Sequence, residues 1–183
     1  MEADAVLREI EELSKKEFLP IIGSVKGRHL GDTVRRFKVK NVLEVGTLVG
    51  YSAILIASNL PEEGKVVTIE IKPESGERAK ENILKAGLAD KIEVHVGNAL
   101  NVIPHVRGRF DMVFLDATKD EYLEYLKLAE GKLKKNGAVF ADNVKMFAGE
   151  MRDYLDYVRD SGKYKSENID VGFDAVEIST KLF

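Results

Sequence analysis

The sequence predicts an α/β fold in which helices cover both faces of a doubly wound, mostly parallel sheet of seven strands. Short β-branched runs alternate with amphipathic helical segments from Lys40 onward, as in a chain of βαβ units. The runs at residues 112–115 and 138–141 are apolar throughout, which is typical of parallel strands buried on both faces. The last two strands flank a short turn at residues 171–174, which predicts a C-terminal antiparallel hairpin. The expected architecture is Rossmann-like with a mixed edge.

Two helices are predicted ahead of the first strand, at residues 3–16 and 28–37, on either side of a loop that contains Gly23. They form an N-terminal helical extension of about residues 1–38. The chain length suits one domain, so we expect a single domain over residues 1–183 with this extension at its start.

Strands and helices then follow one another, with turn residues such as Asn136-Gly137 at the joints. The predicted strands are residues 41–45, 65–71, 91–96, 111–116, 138–142, 164–170 and 175–181. The predicted helices after the extension are residues 51–59, 73–86, 100–106, 121–134 and 149–160.

The composition is that of a globular protein with a highly charged surface, since 44% of the residues are hydrophobic and 32% are charged. The formal net charge of −3 does not indicate a nucleic-acid-binding or membrane-binding protein. No apolar run approaches the ~18 residues of a membrane span, and no signal peptide is evident, so a cytoplasmic protein is expected. The sequence has no cysteine, which excludes disulfides, thiolate metal sites and cysteine nucleophiles.

The first predicted strand leads through a glycine turn into a helix, as in nucleoside-binding loops. The spacing Glu44-x-Gly46-x-x-x-Gly50 lacks the third glycine of a dinucleotide fingerprint, which disfavours an NAD-dependent oxidoreductase. Glu44 adds a negative charge that is unfavourable beside a pyrophosphate and favourable beside a cationic ligand. Glu70, at the end of the second strand, can accept hydrogen bonds from both ribose hydroxyls, and Asn98 can read an adenine edge. These features favour S-adenosylmethionine, a sulfonium without phosphate.

A second group of polar side chains follows the fourth and fifth strands. Asp116 ends the fourth strand, Lys119 lies three residues later, and Asp142-Asn143 end the fifth strand. Ligands of doubly wound sheets bind beyond the carboxyl ends of the strands, so we expect these residues beside the glycine loop. Two carboxylates and an amide oxygen suit Mg²⁺ or another divalent cation. Acids at strand ends also cap helices, and a lone lysine is usually a surface residue, so this interpretation depends on the combination.

In these motifs the sequence resembles the cation-dependent class I O-methyltransferases, the group of catechol and caffeoyl-CoA O-methyltransferases. The resemblance runs from about Phe18 to the C-terminus. It is carried by residues 42–52, 67–71, 110–122 and 133–144. The lysine after the first acid, together with the Asp-Asn pair, is specific to the metal-dependent branch, whereas the glycine motif is shared by class I methyltransferases at large.

The resemblance implies a role for individual residues. Asp116, Asp142 and Asn143 would bind Mg²⁺, and Lys119 would be the general base. Glu70 would hold the ribose of the cofactor. Gly23 would belong to the segment that closes over the methionine end, and Lys26 would face the substrate mouth. The remaining cofactor-binding residues would be Ile22, Glu44, Gly46, Thr47, Gly50, Ser52, Asn98, Ala99 and, in addition to its role at the metal, Asp116.

The expected reaction is S-adenosylmethionine-dependent and divalent-cation-dependent methylation of a catechol-like vicinal diol. The diol would chelate the ion, lose a proton to Lys119 and attack the methyl group. Two alternatives stay open. One is methylation of hydroxylated uridine in tRNA; the other is a non-catalytic nucleotide-binding protein built on the same sheet. Relatives outside animals are commonly dimers, so the resemblance also implies a homodimer, to which the helix at residues 3–16 could contribute.

Two departures from the family pattern leave the methyl acceptor open. After Asp142-Asn143-Val144 the chain continues with residues 145–149 and lacks the proline or tryptophan of characterised relatives. The acid that anchors the second catechol hydroxyl in the animal enzyme has no clear counterpart in the C-terminal hairpin.

Overall fold

The computed structural model describes residues 2–183; Met1, which belongs to the predicted domain and extension, lies outside the described residues. The strands are β1 (Asn41–Val45), β2 (Lys65–Glu70), β3 (Ile92–Val96), β4 (Phe110–Leu115), β5 (Leu133–Ala141), β6 (Tyr164–Asp170) and β7 (Ala175–Lys181). They form one sheet in the order β3-β2-β1-β4-β5-β7-β6. Strands β1 to β5 pair in parallel, whereas β7 pairs antiparallel with both β5 and β6. The predicted mostly parallel sheet with a C-terminal hairpin is confirmed.

Helices cover both faces of this sheet. They are α1 (Glu2–Ser14), α2 (Gly23–Arg36), α3 (Tyr51–Asn59), α4 (Pro73–Lys85), α5 (Ala99–Val102), α6 (Tyr122–Glu130) and α7 (Arg152–Asp160). One hydrophobic cluster joins α1 to α4 to one face, and a second joins α5 to α7 to the other. Val42 and Leu43 of β1 belong to different clusters, because successive side chains of a strand point to opposite faces.

The order of the strands reverses between β1 and β4, which creates a crevice at the carboxyl ends of these strands. The chain builds outward from β1 to β3 and then returns to start β4 on the other side of β1. Backbone hydrogen bonds fix the start of the loops that follow β4 and β5. The Asp116 N–H donates to the Val45 carbonyl at 2.9 Å, and the Asp142 N–H donates to the Leu115 carbonyl at 3.0 Å. Ligands of doubly wound folds bind at such a reversal.

Strand β5 begins five residues earlier than predicted, and the preceding helix ends at Glu130 and not at residue 134. The Asn136-Gly137 signal marks a bulge inside the strand, since Phe110 pairs with Leu133 while Met112 pairs with Ala138. Asn136 takes the left-handed conformation that favours a turn, with φ of 62°. Pairing with β4 therefore overrides the local turn signal.

Helix α2 also begins five residues earlier than predicted, at Gly23, whose φ of 71° suits only glycine well. The earlier start places Lys26 on the first turn of the helix. The predicted helix at residues 100–106 is a short α5 followed by a 3₁₀ turn over Ile103–His105, where Pro104 interrupts the α-helical pattern. Within residues 2–183, no helix is long and apolar enough to cross a membrane.

Candidate active site

A cavity of about 710 Å³ lies at the carboxyl ends of the parallel strands, a volume typical of small-molecule sites. Its walls come from the loops after β1 to β5, the segment before α2 and the turn of the hairpin. Most predicted site residues line it: Ile22, Gly46, Thr47, Ser52, Glu70, Asn98, Ala99, Asp116, Lys119, Asp142 and Asn143. Lys26 lines it as well, whereas Glu44 and Gly50 do not.

The two glycines of the loop after β1 shape the backbone. Gly46 has φ of 102°, and a Cβ at this position would overlap the backbone carbonyl oxygen of Asp116. Gly50, with φ of 86°, is the N-cap of α3. Glycine at Gly46 therefore lets the loop pass close to the end of β4, which brings the predicted cofactor loop next to the predicted metal ligands.

Glu70 is buried at the end of β2, and its carboxylate holds the glycine loop in place. Oε2 accepts a hydrogen bond from the Leu48 N–H at 2.7 Å, and Oε1 accepts one from the Lys72 N–H at 2.9 Å. An ionised carboxylate has about four lone-pair positions, so two remain for ribose hydroxyls. Asn98 Oδ1 accepts from the Leu100 N–H at 2.8 Å as the N-cap of α5, which leaves the side-chain NH₂ for an adenine edge.

Glu44 lies fully buried behind the cavity and not on its wall. Neither carboxylate oxygen has a hydrogen-bond partner among the described residues. Burial raises the pKa of Glu44 to about 8, and the nearby hydroxyls of Ser52 and Thr68 offset only part of this effect. The predicted contact of Glu44 with the cofactor stays a prediction. Its side chain lies behind the residues that line the cavity.

Lys119 is held at the cavity wall between the ends of β4 and β5. Its Nζ donates to Asp116 Oδ1 at 2.8 Å and to the Tyr122 hydroxyl at 2.9 Å. The ammonium also lies 5.2 Å from the centre of the Tyr122 ring and 6.0 Å from that of Phe147. Tyr122 is fully buried and donates to the backbone carbonyl of Asp142 at 3.3 Å, so it connects the two strand ends.

Asp142 and Lys26 form a buried ion pair at the end of β5. Lys26 Nζ lies 2.7 Å from Oδ1 and 2.8 Å from Oδ2 of Asp142. Burial and the nearby Asp116 carboxylate raise the pKa of Asp142 to about 6, against the opposing effect of Lys26. Burial alone would lower the pKa of Lys26, but the two carboxylates beside it hold that pKa above its ordinary value.

Asp174, in the turn of the hairpin, is a site residue that sequence reasoning missed. It is fully buried, and Oδ2 accepts hydrogen bonds from Lys26 Nζ at 3.0 Å and from Asn143 Nδ2 at 2.8 Å. Oδ1 accepts from the Met146 N–H at 3.1 Å. Although burial acts in the opposite direction, these donors lower the pKa of Asp174 to about 2. An acid in the predicted turn was the available signal, but its partners lie far away in sequence.

The residues present fit a divalent cation through a mixed donor set. Over residues 2–183, no group of three or more histidine, cysteine, aspartate or glutamate side chains is arranged to hold a metal ion. Asp116 and Asp142 line the same cavity and are close enough for one charge to raise the pKa of the other. Asn143 donates its NH₂ to Asp174, which leaves its amide oxygen as a third hard donor.

Comparison with known proteins places the chain in a family. A family model described as O-methyltransferase matches residues 1–174. The chain belongs to this O-methyltransferase family. It is 38% identical to catechol O-methyltransferase B of Danio rerio over 158 residues, which cover 82% of this chain and 59% of that protein. It is 32% identical to caffeoyl-CoA O-methyltransferase 1 of Eucalyptus globulus over 169 residues, which cover 84% of this chain and 68% of that one.

A solved structure shows the same fold with a bound ligand. The O-methyltransferase TomG from Streptomyces achromogenes, in complex with S-adenosylmethionine, superimposes with a TM-score of 0.89 at 27% identity and covers 97% of this chain and 90% of its own. The resemblance to catechol and caffeoyl-CoA O-methyltransferases is thereby confirmed for the family and the fold. The chain spans about three fifths of the length of the Danio rerio relative.

Proposed function

We propose that this protein transfers the methyl group of S-adenosylmethionine to one hydroxyl of a catechol-like vicinal diol, with Mg²⁺ or another divalent cation as a requirement. The observation that carries the proposal is the convergence of two residue sets on one cavity. Glu70 and the glycine loop line the part that suits a nucleoside, while Asp116, Lys119 and Asp142 line the part that suits a hydroxylated acceptor. Adjacent β1 and β4 bring both sets together.

Different side chains bind the cofactor and the cation in the proposed reaction. Glu70 accepts hydrogen bonds from the ribose hydroxyls, and the cation site draws its oxygen donors from Asp116, Asp142 and Asn143. When bound, the cofactor supplies an electrophilic methyl group and the cation polarises the acceptor hydroxyl. Holding both reactants in one orientation can lower the barrier by about 7–11 kcal/mol.

Lys119 takes the acceptor proton at Nζ. Only the neutral amine can accept a proton, so Lys119 has to release its own proton to solvent first, and its ion pair with Asp116 opposes that release. Asp116 is shared with the proposed cation site, and its use there would weaken this opposition. Tyr122 keeps the amine in place during this exchange through a 2.9 Å hydrogen bond.

The apolar residues beside the cation site support a flat aromatic acceptor. Phe147 faces the Lys119 ammonium, and Met146 and Phe173 line the same cavity with much of their surface exposed. An aromatic ring could pack between these side chains while its hydroxyls reach the cation site.

The dense basic cluster of the sequence, formed by Lys132, Lys134 and Lys135, does not favour tRNA as the acceptor. Lys132 Nζ donates to the backbone carbonyls of Pro104 and Val106, and Lys134 pairs with Asp111. Lys132 and Lys134 therefore have partners within the protein, and none of the three lysines lines the cavity.

Homodimerisation through α1 and a cytoplasmic location stay predictions from the sequence; light scattering of the purified chain tests the first.

The proposal is tested with labelled S-adenosylmethionine and a pair of acceptors that differ by one hydroxyl. We expect methylation of a 1,2-dihydroxybenzene and little methylation of the matching monohydroxybenzene. EDTA should abolish transfer and added Mg²⁺ should restore it, while cofactor binding, measured by calorimetry, should persist in EDTA. Transfer that continues undiminished in EDTA would refute the cation requirement, and equal rates with both acceptors would refute the vicinal-diol substrate.

A further inference from the structure

Lys26 places a buried positive charge on one of the proposed cation ligands. Its side chain is only 10% exposed, and Nζ lies 2.7 Å and 2.8 Å from the two carboxylate oxygens of Asp142. The same Nζ lies 3.0 Å from Oδ2 of Asp174, which does not line the cavity. One lysine therefore bridges a proposed cation ligand and a carboxylate outside that ligand set.

Both carboxylate oxygens of Asp142 already have partners. Oδ2 accepts a hydrogen bond from Lys26 Nζ at 2.8 Å, Oδ1 accepts one from the Asn143 N–H at 2.8 Å, and the ammonium also lies 2.7 Å from Oδ1. An ion bound to either oxygen would meet the ammonium of Lys26 across a buried carboxylate, where like charges repel strongly. Lys26 and a divalent ion thus make competing demands on Asp142.

We propose that Lys26 is an internal counter-cation that competes with the divalent ion for Asp142 and thereby limits the cation affinity of the site. The site combines three carboxylates, on Asp116, Asp142 and Asp174, with the ammonium groups of Lys26 and Lys119, which leaves one net negative charge. Without Lys26 the net charge becomes two negative. The inference rests on the proposed cation site and adds a determinant of its affinity.

Asp174 gives Lys26 a second partner when a cation draws on Asp142. Its carboxylate is fully buried and already accepts a hydrogen bond from Lys26, so the ammonium keeps a counter-ion 3.0 Å away. Since Lys26 belongs to the first turn of α2, weaker contact with Asp142 also loosens the tie between this helix and the end of β5.

The test is calorimetric titration of the full chain with Mg²⁺ and with Mn²⁺, in wild type and in Lys26→Met. We expect the variant to bind either ion about tenfold more tightly or better. Lys72→Met is the charge-matched control, because the exposed Lys72 also lines the cavity but follows β2, three strands or about 14 Å from β5. Its affinity should stay close to that of the wild type.

Lys26→Met leaves two buried carboxylates without their counter-ion and can fail to fold, so Lys26→Gln, which keeps a donor for Asp174, carries the same test. The thermal shift caused by Mg²⁺ should be larger in either variant than in the wild type. Equal or weaker cation binding by both variants, with a wild type that binds, overturns this inference alone. If neither wild type nor variants bind a divalent ion, the proposed cation site fails and the inference fails with it.

Discussion

The proposed reaction depends on Lys119 as its general base. Replacement by methionine keeps most of the apolar length of the side chain and removes the amine that takes the proton. We expect Lys119→Met to lower turnover about 10²–10⁴-fold, the usual contribution of a general base, and to leave calorimetric binding of S-adenosylmethionine little changed. Lys127→Met, on the exposed side of α6, is the matched control and should keep wild-type turnover. Comparable activity of the Lys119 variant would remove its role as a base.

Individual site residues were predictable where strand ends gather them, and not where distant segments meet. Asp116 and Asp142 follow apolar strands, so the sequence alone places them at one edge of the sheet. The bonds of Lys26 to Asp142 and Asp174 span 116 and 148 residues, and no local pattern signals such pairs. For Glu44 the position in the motif predicts contact with a ligand, which stays a prediction; its complete burial was not evident from the motif.

At the scale of elements, the loop between β1 and α3 depends on a glycine at Gly46. A methyl group there would overlap the Asp116 carbonyl oxygen, and φ of 102° is strained for any other residue. We expect Gly46→Ala to lower the free energy of unfolding by about 3 kcal/mol or more, measured in urea. Gly131→Ala, with open space around the added carbon and no positive φ, should stay within about 0.5 kcal/mol of the wild type. Equal effects of the two substitutions would contradict the close approach.

Helix α7 is attached to β7 by an ion pair between Arg159 and Glu177. Arg159 Nε and Nη2 each donate to the Glu177 carboxylate at 2.8 Å, and this carboxylate is almost fully buried. Because Arg159 itself is 43% exposed, we expect Arg159→Ala to cost about 2 kcal/mol in urea unfolding, less than a fully buried pair. Arg152→Ala, on the same helix with a long 3.9 Å pair to Asp156, should cost about 0.5 kcal/mol or less. Similar losses in both variants would argue against this attachment.

The boundaries of the elements differ from the predicted ones where strand pairing outweighs local sequence signals. The bounds of β1, α3, β6 and β7 match the predicted ones, because periodicity and turn residues agree there. Strand β5 begins within the predicted helix at residues 121–134, since the edge of β4 accepts residues that locally favour a helix and a turn. Its carboxyl end, which carries the site, was unaffected by this error.

At the scale of the whole molecule, the location of the cavity follows from the order of the elements. Alternating strands and helices predict a doubly wound sheet, and the reversal between β1 and β4 then predicts where a ligand binds. The segments that close the cavity were not predictable in this way. The segment before α2 and the turn of the hairpin close it from opposite ends of the chain, and Lys26 and Asp174 join these segments to the end of β5.

The stability of the whole molecule should depend on pH through Glu44. The pKa of this buried carboxyl is about 8 in the folded chain, against an ordinary value of 4.5, so the folded state holds a proton between these pH values that the unfolded state has lost. The stabilisation from this proton is fully present below pH 4.5 and is lost as the pH rises through 8. The free energy of unfolding should therefore fall by about 1.4 kcal/mol per pH unit, up to about 5 kcal/mol.

Glu44→Gln removes this titration while keeping the size of the side chain, so the variant should lose less stability than the wild type between about pH 5 and pH 9 in urea unfolding. The exposed Glu81 on α4 offers a matched control, and Glu81→Gln should follow the wild-type curve. The comparison between variants isolates Glu44, because the other titrating groups are common to all three proteins. Parallel curves for wild type and Glu44→Gln would mean that Glu44 is ionised in the fold and has a counter-charge or water that satisfies it.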